Sequence, residues 1–307
     1  MTINATKTGS GFQKTVFEVL PSIYSYFPGC SLHSTGLEYG LSTRAVFQHL
    51  ALTLIELPNW NCCGASSAHS LNHLLGIALP ARNIAIAQEN FRDLVTPCAA
   101  CYSRMKQADY FLQTDPDLKA EIEEIVGFEY TGQIVIRPGI AVLHEDCGLE
   151  KIREMVRIPL SGLRVVPYYG CLLLRPPAIS QFDDPDNPRV MADLLEACGA
   201  EVMPWSYASD CCGAGLSLYR SDVVEQLVDR LVAGAVEAQA QALVTACPLC
   251  QVNIEMRQTQ SPRMPSFYIT ELLGLAFNLP DSHQWWSKHL VDPRPLLASL
   301  GLMEQER

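Results

Sequence analysis

The sequence predicts an α/β protein built from two pseudo-symmetric repeats, each with a small, mostly parallel sheet flanked by helices. Two observations carry this prediction. The same arrangement of five cysteines occurs in both halves of the 307-residue chain, which indicates an internal duplication. Within each half, short β-rich apolar runs alternate with helical stretches, and this alternation is typical of parallel sheets with helices on their faces.

Ten of the twelve cysteines form the two matching sets. The first set consists of Cys30, Cys62, Cys63, Cys98 and Cys101, and the second of Cys171, Cys211, Cys212, Cys247 and Cys250. Four of the five pairs are separated by 149 positions, whereas the first pair is separated by 141. The second copy therefore has eight additional residues before its adjacent cysteines. We place them in a surface loop over 176–188, which is rich in Pro and Asp.

The repeat extends beyond the cysteines. The matching segments are 25–30 with 166–171, 54–58 with 200–204, and 94–98 with 243–247. A tryptophan, Trp60 or Trp205, follows the second of these segments in each half. Three matches in the same order indicate that the whole module, and not only a metal-binding motif, was duplicated.

The elements of each repeat are predicted in the same order. An apolar strand ends on Gly-Cys, and a helix follows, near 41–50 in one repeat and near 189–197 in the other. A second strand leads to Cys-Cys-Gly, and after further helices a third strand ends in Cys-x-x-Cys at the start of a helix. Because right-handed crossovers bring the carboxyl ends of parallel strands to one edge, the three cysteine-bearing segments are predicted to converge there.

The remaining chain divides around these repeats. The predicted domains are residues 22–135 for the first repeat, 136–279 for the second and 280–307 for a C-terminal extension. The elements predicted elsewhere are a connector over 111–160 with helices near 118–126 and 149–156, and a final strand and helix over 266–277. We expect the extension, which contains Trp285 and Trp286, to dock on the core or on a partner.

Composition excludes several classes of protein. A net charge of −11 and a pI near 5.1 argue against nucleic-acid binding, which requires a basic face. No run of about twenty apolar residues is present, and the longest helical stretch, predicted near 227–244, contains charged residues, so no membrane-spanning helix is expected. The first twenty residues lack the pattern of a secretory signal, and a cytoplasmic location is therefore expected. Disulfides are rare in that compartment, and adjacent cysteines pair poorly.

Metal ligation is the chemistry that the thiols favour. A Cys-x-x-Cys pair at a helix start can chelate, because free N–H groups of the first turn stabilise thiolate charge. Gly64 and Gly213 follow the adjacent cysteines and permit positive φ, so the backbone can turn around a bound group. Five thiols exceed the four that a tetrahedral zinc ion takes. An iron–sulfur cluster in each set is the prediction, with zinc in one set as the alternative.

The motifs resemble a known family. The doubled Cys-Cys-Gly pattern, together with segments 27–33, 61–65 and 167–171, resembles the twin CCG domains of the B subunit of heterodisulfide reductase (HdrB) over residues 22–279. The resemblance implies a non-cubane [4Fe-4S] cluster on each set, with all ten cysteines as ligands and catalytic groups, and with Gly64 and Gly213 beside the clusters. It also implies that the two clusters reductively cleave a disulfide of small thiols or of a protein. Electrons would come from an HdrC-like [4Fe-4S] subunit and an HdrA-like flavin subunit.

Other functions and residues remain open from the sequence. Related CCG subunits of glycolate, lactate or glycerol-3-phosphate dehydrogenases and of quinone-linked systems would only transfer electrons, and a zinc-stapled scaffold would have no redox role. Cys198 is predicted to lie in the core, and Cys147 is predicted to be a structural thiol. Some residues have weaker hypotheses, each against an ordinary surface or hydrogen-bonding role: His33, His69, His73 and His144 as proton or cluster contacts and Arg175 as an anion contact. His69 and His73 are predicted to lie four residues apart on one helix after the first Cys-Cys-Gly.

Overall fold

The computed structural model describes residues 22–65, 67–89 and 92–303 and contains two four-stranded sheets. The strands of the first sheet are β1 (Ile23–Tyr26), β2 (Thr53–Glu56), β3 (Leu94–Thr96) and β4 (Ile136–Pro138). The strands of the second are β5 (Arg164–Tyr168), β6 (Glu201–Val202), β7 (Ala242–Thr245) and β8 (Ser266–Tyr268). The predicted fold class is confirmed.

Helices connect the strands and cover both faces of each sheet. In the first half they are α1 (Leu37–His49), α2 (Ala68–Leu71), α3 (His73–Glu89), α4 (Ala99–Thr114), α5 (Pro116–Val126), α6 (Gly139–Val142) and α7 (Leu149–Met155). In the second half they are α8 (Pro177–Ser180), α9 (Val190–Ala197), α10 (Ser221–Glu237), α11 (Pro248–Arg257), α12 (Ile269–Ala276), α13 (Ser282–Trp285) and α14 (Arg294–Ser299). Strands β3, β7 and β8 are buried throughout, as expected for parallel sheets covered on both faces.

The two sheets have the same topology. All strand pairs are parallel, and the orders are β2-β1-β3-β4 and β6-β5-β7-β8. In both sheets the winding direction reverses between the first and third strands of the repeat. In open α/β sheets, ligands bind outside the carboxyl ends of the strands at this point of reversal. The topology therefore marks the same edge for a site in both repeats.

The repeats pack against each other through buried contacts. Tyr39 on α1 stacks on Tyr268 at the end of β8, with ring centroids 4.3 Å apart and planes 2° from parallel. The hydroxyl groups of Ser42 on α1 and Thr270 on α12 are hydrogen bonded at 2.7 Å in the same interface. Stacking and a satisfied buried hydrogen bond fix the relative position of the two repeats.

The C-terminal extension docks on the second repeat. Trp285 and Trp286 are almost fully buried, and the Trp286 ring meets Phe267 of β8 edge-on at 5.7 Å. A Cβ at Gly274 of α12 would come within 2.6 Å of the Trp285 ring, so the glycine makes room for it. The two tryptophans thus belong to the core. Of the two expected alternatives, docking on the core or on a partner, the extension docks on the core.

Several elements differ from their predictions. The connector over 111–160 is wrong as a separate region, because it contains β4, which pairs with β3 and completes the first sheet, while its helices α5 and α7 agree with prediction. The division of the chain into domains at residues 135 and 279 remains a proposal; β4, just after the first of these boundaries, pairs with the first sheet. The helix expected over 227–244 ends at Glu237, since the chain turns there to enter β7. The loop over 176–188 is not entirely at the surface, because α8 packs on α4.

Candidate metal centres

The cysteines of each set lie beyond the carboxyl ends of three parallel strands. In the first repeat, Cys30 follows β1, the Cys62–Cys63 pair follows β2, and Cys98 follows β3 and caps α4. The second repeat repeats this arrangement after β5, β6 and β7, and Cys247 caps α11. The Cys-x-x-Cys pairs therefore stand at helix N-termini, where unpaired N–H groups favour thiolate charge.

The sulfur atoms of the first set meet in pairs. The Sγ atoms of Cys63 and Cys101 are 3.2 Å apart in a buried position, and those of Cys30 and Cys62 are 3.9 Å apart at the surface. Cys98 is buried beside them. One side of the set is therefore enclosed by protein and the other is open to solvent.

The second set repeats this geometry with a more covered opening. The Sγ atoms of Cys212 and Cys250 are 3.4 Å apart and buried, and Cys247 is also buried. Cys211 is exposed, whereas Cys171, the counterpart of an exposed cysteine in the first set, is half-buried. Both sets thus combine three buried thiols with two nearer the surface.

Glycines give the cysteines their room. Gly64 and Gly213 have φ of +75° and +78°, and their N–H groups donate to the Sγ atoms of Cys62 and Cys211 at 3.5 and 3.3 Å. This left-handed turn after the cysteine pair favours glycine.

Sequence reasoning did not assign a role to the glycines before Cys30 and Cys171. A Cβ at Gly29 would lie 2.8 Å from the Cys101 sulfur, and one at Gly170 would lie 3.1 Å from the Cys250 sulfur. Their occurrence immediately before the first cysteine of both repeats was the signal that could have identified them.

The contacting thiols divide their charge unequally. Hydrogen bonds from Cys101 and Cys62 hold the pKa of Cys63 well below its usual range, although burial opposes this shift. A hydrogen bond from Cys171 lowers the pKa of Cys211 to about 6. Each set therefore contains a thiol that is stabilised as thiolate, the form in which cysteine ligates metals.

The two sets meet at one point. Hydrogen bonds from Cys250 in its own set and from Cys98 in the other set hold the pKa of Cys247 well below its usual range. On the first side, the Tyr39 hydroxyl donates to the carbonyl of Pro97, directly before Cys98, at 3.1 Å. The Cys-x-x-Cys pairs of the two repeats are therefore adjacent.

The donor chemistry fits iron–sulfur clusters. Thiolates are the usual protein ligands of [4Fe-4S] clusters, and each set offers five thiols, three of them buried. Among the residues that the structure describes, no three thiol, imidazole or carboxylate groups are arranged to hold a single metal ion. The glycines beside the buried sulfurs keep a space free that any side chain would fill.

The two cysteines outside the sets lie apart from these sites. Cys198 ends α9, is fully buried, and has its pKa raised to about 12 by burial, in agreement with a core position. Cys147 is half-buried before α7, and burial raises the pKa of its thiol as well. In the described part of the chain, the sulfur–sulfur contacts of Cys30 with Cys62, Cys63 with Cys101 and Cys212 with Cys250 each lie within one set and involve neither of these thiols.

The histidines and Arg175 have partners of their own. His33 lies 3.3 Å from Glu56 and against the Trp60 ring, and His144 lies 3.3 Å from Asp193. Arg175 pairs with Asp186 at 3.0 Å in the exposed loop.

The arrangement expected for His69 and His73 is wrong. They lie on separate helices, because the chain leaves α2 at Asn72 in an extended conformation. Nothing that the structure describes around the histidines supports a proton or cluster role, and nothing that it describes around Arg175 supports an anion-binding role.

The fold and the two thiol sets define a protein with a duplicated cysteine-rich domain, and comparison with known proteins agrees. The family model described as CCG, cysteine-rich domain, matches residues 24–106 and 165–255. With this match and the relatives below, the chain belongs to the HdrB family of CCG proteins, named after the B subunit of heterodisulfide reductase. The resemblance inferred from the motifs is thereby confirmed.

The relatives align over most of their lengths. The chain is 30% identical to a protein of Archaeoglobus profundus that is named as like the B subunit of heterodisulfide reductase, over 76% of this chain and 81% of that protein. It is 30% identical to the B subunit of the ferredoxin:CoB-CoM heterodisulfide reductase of Methanosarcina mazei, over 90% and 96%. It is 28% identical to the 8-methylmenaquinol:fumarate reductase membrane anchor subunit of Wolinella succinogenes, over 89% and 98%.

A solved structure shares the fold alone. The crystal structure of a hypothetical protein from Helicobacter pylori superposes with a TM-score of 0.68 at 12% identity. The match covers 89% of this chain and 52% of that one, so the chain spans about half the length of the solved protein. Within the described ranges, no helix combines the length and the apolar character needed to cross a membrane.

Proposed function

We propose that this chain is the iron–sulfur catalytic subunit of a heterodisulfide reductase-like complex and that it reductively cleaves, or reversibly forms, a disulfide. The coarser part of this proposal, an iron–sulfur subunit of such a complex or a related one, follows from the family. The observation that carries the finer part is the meeting of two five-thiol sets at Cys98 and Cys247. The proposed ligands are all ten cysteines of the two sets, with one non-cubane [4Fe-4S] cluster on each.

The stoichiometry of the reaction favours two adjacent sites. Cleavage of a disulfide breaks one S–S bond, consumes two electrons and two protons, and yields two thiols. When bound, the clusters would supply electrons one at a time and iron atoms that can accept sulfur. The protein's part is to hold the two sites next to each other, to keep the buried thiols dry, and to leave Cys30 and Cys62 of one site and Cys211 of the other exposed. The two sulfur atoms of a small disulfide would approach the sites from these exposed cysteines.

The proposed reaction needs electron-donating partner subunits, and the thiols need a reducing compartment. We propose an HdrC-like [4Fe-4S] subunit and an HdrA-like flavin subunit as partners, because the relatives named as B subunits are by name parts of larger reductases. The sequence shows no nucleotide- or flavin-binding motif of its own. All twelve cysteines are free, which supports the proposal of a reducing, cytoplasmic compartment.

Cysteine variants test the paired reaction. In protein purified anaerobically, we expect iron and acid-labile sulfide, and disulfide cleavage when reduced methyl viologen and the CoB–CoM heterodisulfide are supplied. Cys63→Ser and Cys212→Ser are each expected to lower this activity at least a hundredfold, because either change removes a buried ligand of one site. The matched control is Cys147→Ser, which changes a cysteine outside both sets and should leave activity unchanged.

Two outcomes would contradict the proposal. Full activity with either set disrupted would refute a reaction that needs both sites. Zinc without iron or sulfide in the purified protein would end the cluster assignment and leave a zinc-stapled scaffold.

The second candidate is an electron-transfer subunit of a glycolate-, lactate- or glycerol-3-phosphate dehydrogenase-like complex or of a quinone-linked one. The relative named as a subunit of an 8-methylmenaquinol:fumarate reductase, which aligns over 98% of its length, favours it. In that case the clusters would be reduced by a menaquinol analogue, and the reduced protein would not cleave the CoB–CoM heterodisulfide. The viologen assay therefore separates the two candidates.

A further inference from the structure

The two thiol sets differ in charge at equivalent positions. Adding 149 to a residue number in the first repeat gives its counterpart in the second, and this rule pairs Arg104 with Asn253. Both lie one turn after the second cysteine of Cys-x-x-Cys, on α4 and α11. A cation therefore stands beside the first set at the position where a neutral amide stands beside the second.

The surroundings of Arg104 leave its charge available to the first set. Its Nε atom is buried without a hydrogen-bond partner, and one terminal nitrogen donates to Gln107, a neutral side chain, at 3.1 Å. No carboxylate pairs with Arg104 among the described ion pairs. Arg104 lies one turn after Cys101 on α4, and the Cys101 sulfur is 3.2 Å from the Cys63 sulfur, so this buried cation stands beside the enclosed side of the first set.

Asn253 serves the second set by hydrogen bonding alone. Its amide nitrogen donates to the carbonyl of Cys212 at 3.1 Å and approaches the Cys212 sulfur at 3.7 Å, while its oxygen accepts from Ser217. All its polar atoms are used, and none carries charge. Cys212 is the counterpart of Cys63, so the contrast concerns the same buried ligand position.

A second difference acts in the same direction. Asn61 precedes the adjacent cysteines of the first set, and its counterpart before those of the second set is Asp210. Asp210 directly precedes Cys211 in the chain, so its carboxylate stands beside the second site, and its ion pair with Arg230, at 3.3 Å, is partly exposed to solvent.

A third difference concerns Lys106 and its counterpart Glu255. Lys106 is countered by Asp109 at 3.8 Å, whereas Glu255, which lies 2.7 Å from His289, shares that single cation with Glu271. It therefore does not offset the excess of positive charge at the first site.

We propose that Arg104, together with Asp210, sets the order of reduction, so that the site of Cys30, Cys62, Cys63, Cys98 and Cys101 accepts an electron before its neighbour. The inference rests on the proposed function, since it requires a cluster on each set. Reduction adds one electron and hence one negative charge to a site. A neighbouring cation stabilises the reduced form, and a neighbouring anion destabilises it; net charge and hydrogen bonds to sulfur are the main protein influences on such potentials. Arg104 and Asp210 are thus positioning and tuning residues, not ligands.

The test is an anaerobic redox titration followed by EPR. The protein is the full chain with its clusters, titrated with dithionite and mediator dyes, and the two signals are assigned with Cys63→Ser and Cys212→Ser. In the wild type we expect the first-site signal to appear at the higher potential. Arg104→Asn should lower the first-site potential by at least the 59 mV that corresponds to a tenfold change in the reduced-to-oxidised ratio for one electron. Arg104→Lys, which keeps the charge, should preserve the order.

Exchanging Arg104 and Asn253 is the most discriminating experiment. The double variant Arg104→Asn/Asn253→Arg should invert the order of reduction. Asp210→Asn, at the surface and therefore tolerant of change, should raise the second-site potential and leave the first unchanged.

The proposal is overturned if the second site is reduced first in the wild type, or if Arg104→Asn and Asp210→Asn both leave the potentials unchanged at normal iron content. Absence of iron from the wild type would instead overturn the proposed function, and the inference with it. Should Arg104→Asn fail to retain clusters, the Lys and Asp210 variants still decide the result.

Discussion

The two repeats carry the same cysteines on the same sheet, but they cover the helix after Cys-x-x-Cys in different ways. In the first repeat, α4 is covered by α8 of the second repeat, and the buried Tyr102 hydroxyl donates to the carbonyl of Ser180. In the second repeat, the counterpart of Tyr102 is Gln251, and α11 is covered by the C-terminal extension through His289. One cover is held by a neutral hydrogen bond and the other by buried charges.

The ionic cover is a closely packed triad. His289 lies 2.7 Å from Glu255 and 3.0 Å from Glu271, and the side chains of all three are at most 4% exposed. Burial lowers the pKa of His289, but the two carboxylates outweigh it and raise that pKa to about 11. The comparison teaches that the duplication preserved the cysteine positions, whereas each repeat acquired its own cover. The covers should therefore respond differently to mutation and to pH.

The largest effect is expected for His289→Ala. The change leaves Glu255 and Glu271 buried without a cation, and breaking a buried ion pair in this way costs about 3–5 kcal/mol. We expect the free energy of unfolding, measured by urea denaturation under anaerobic conditions, to fall by about that amount. His283→Ala, which alters an exposed histidine of the same extension, is the control. A loss below about 1 kcal/mol would show that the triad does not hold the extension in place.

The pH dependence sharpens the same contrast. Since the pKa of His289 is about 11 in the folded chain and near 6.5 in the unfolded one, its stabilisation is fully present below about pH 6.5. It decreases as the pH rises towards 11, because the unfolded chain loses the proton first. The difference in unfolding free energy between wild type and His289→Gln should therefore be largest near pH 6 and smaller near pH 9. A difference that grows with pH would contradict a protonated His289.

The smallest effect is expected for Tyr102→Phe. It removes the hydrogen bond from Tyr102 to Ser180 but keeps the aromatic ring in place, and such a bond contributes about 1 kcal/mol. The unfolding free energy should fall by about that amount without the pH dependence seen for His289→Gln. Tyr110→Phe, a half-exposed tyrosine on the same helix, is the matched control. A loss as large as that for His289→Ala would mean that the two covers are equivalent after all.

Much of this architecture could be predicted from the sequence. The positions of the cysteines, the glycines at 64 and 213 and the alternating strands and helices predicted two parallel α/β repeats, because these features depend on residue type and local spacing. The predicted helix over 227–244 ends too late, because the residues 238–241 that link α10 to β7 are Ala and Gln, which are also good helix formers. His69 and His73 were placed on one helix for a similar reason, because Asn72 gives only a weak signal for a break.

The sequence by itself determined that the protein is a duplication and that each copy has five thiols predicted to converge at one sheet edge, a pattern that favours metal ligation. Only the tertiary structure decided that β4 belongs to the first sheet, that the two thiol sets meet at Cys98 and Cys247, and that Arg104 has a buried, unpartnered Nε where its counterpart Asn253 approaches the Cys212 sulfur. The first group of features is encoded by spacing along the chain. The second depends on packing between residues far apart in sequence, such as Tyr39 on Tyr268, and no local pattern specifies which of these will touch.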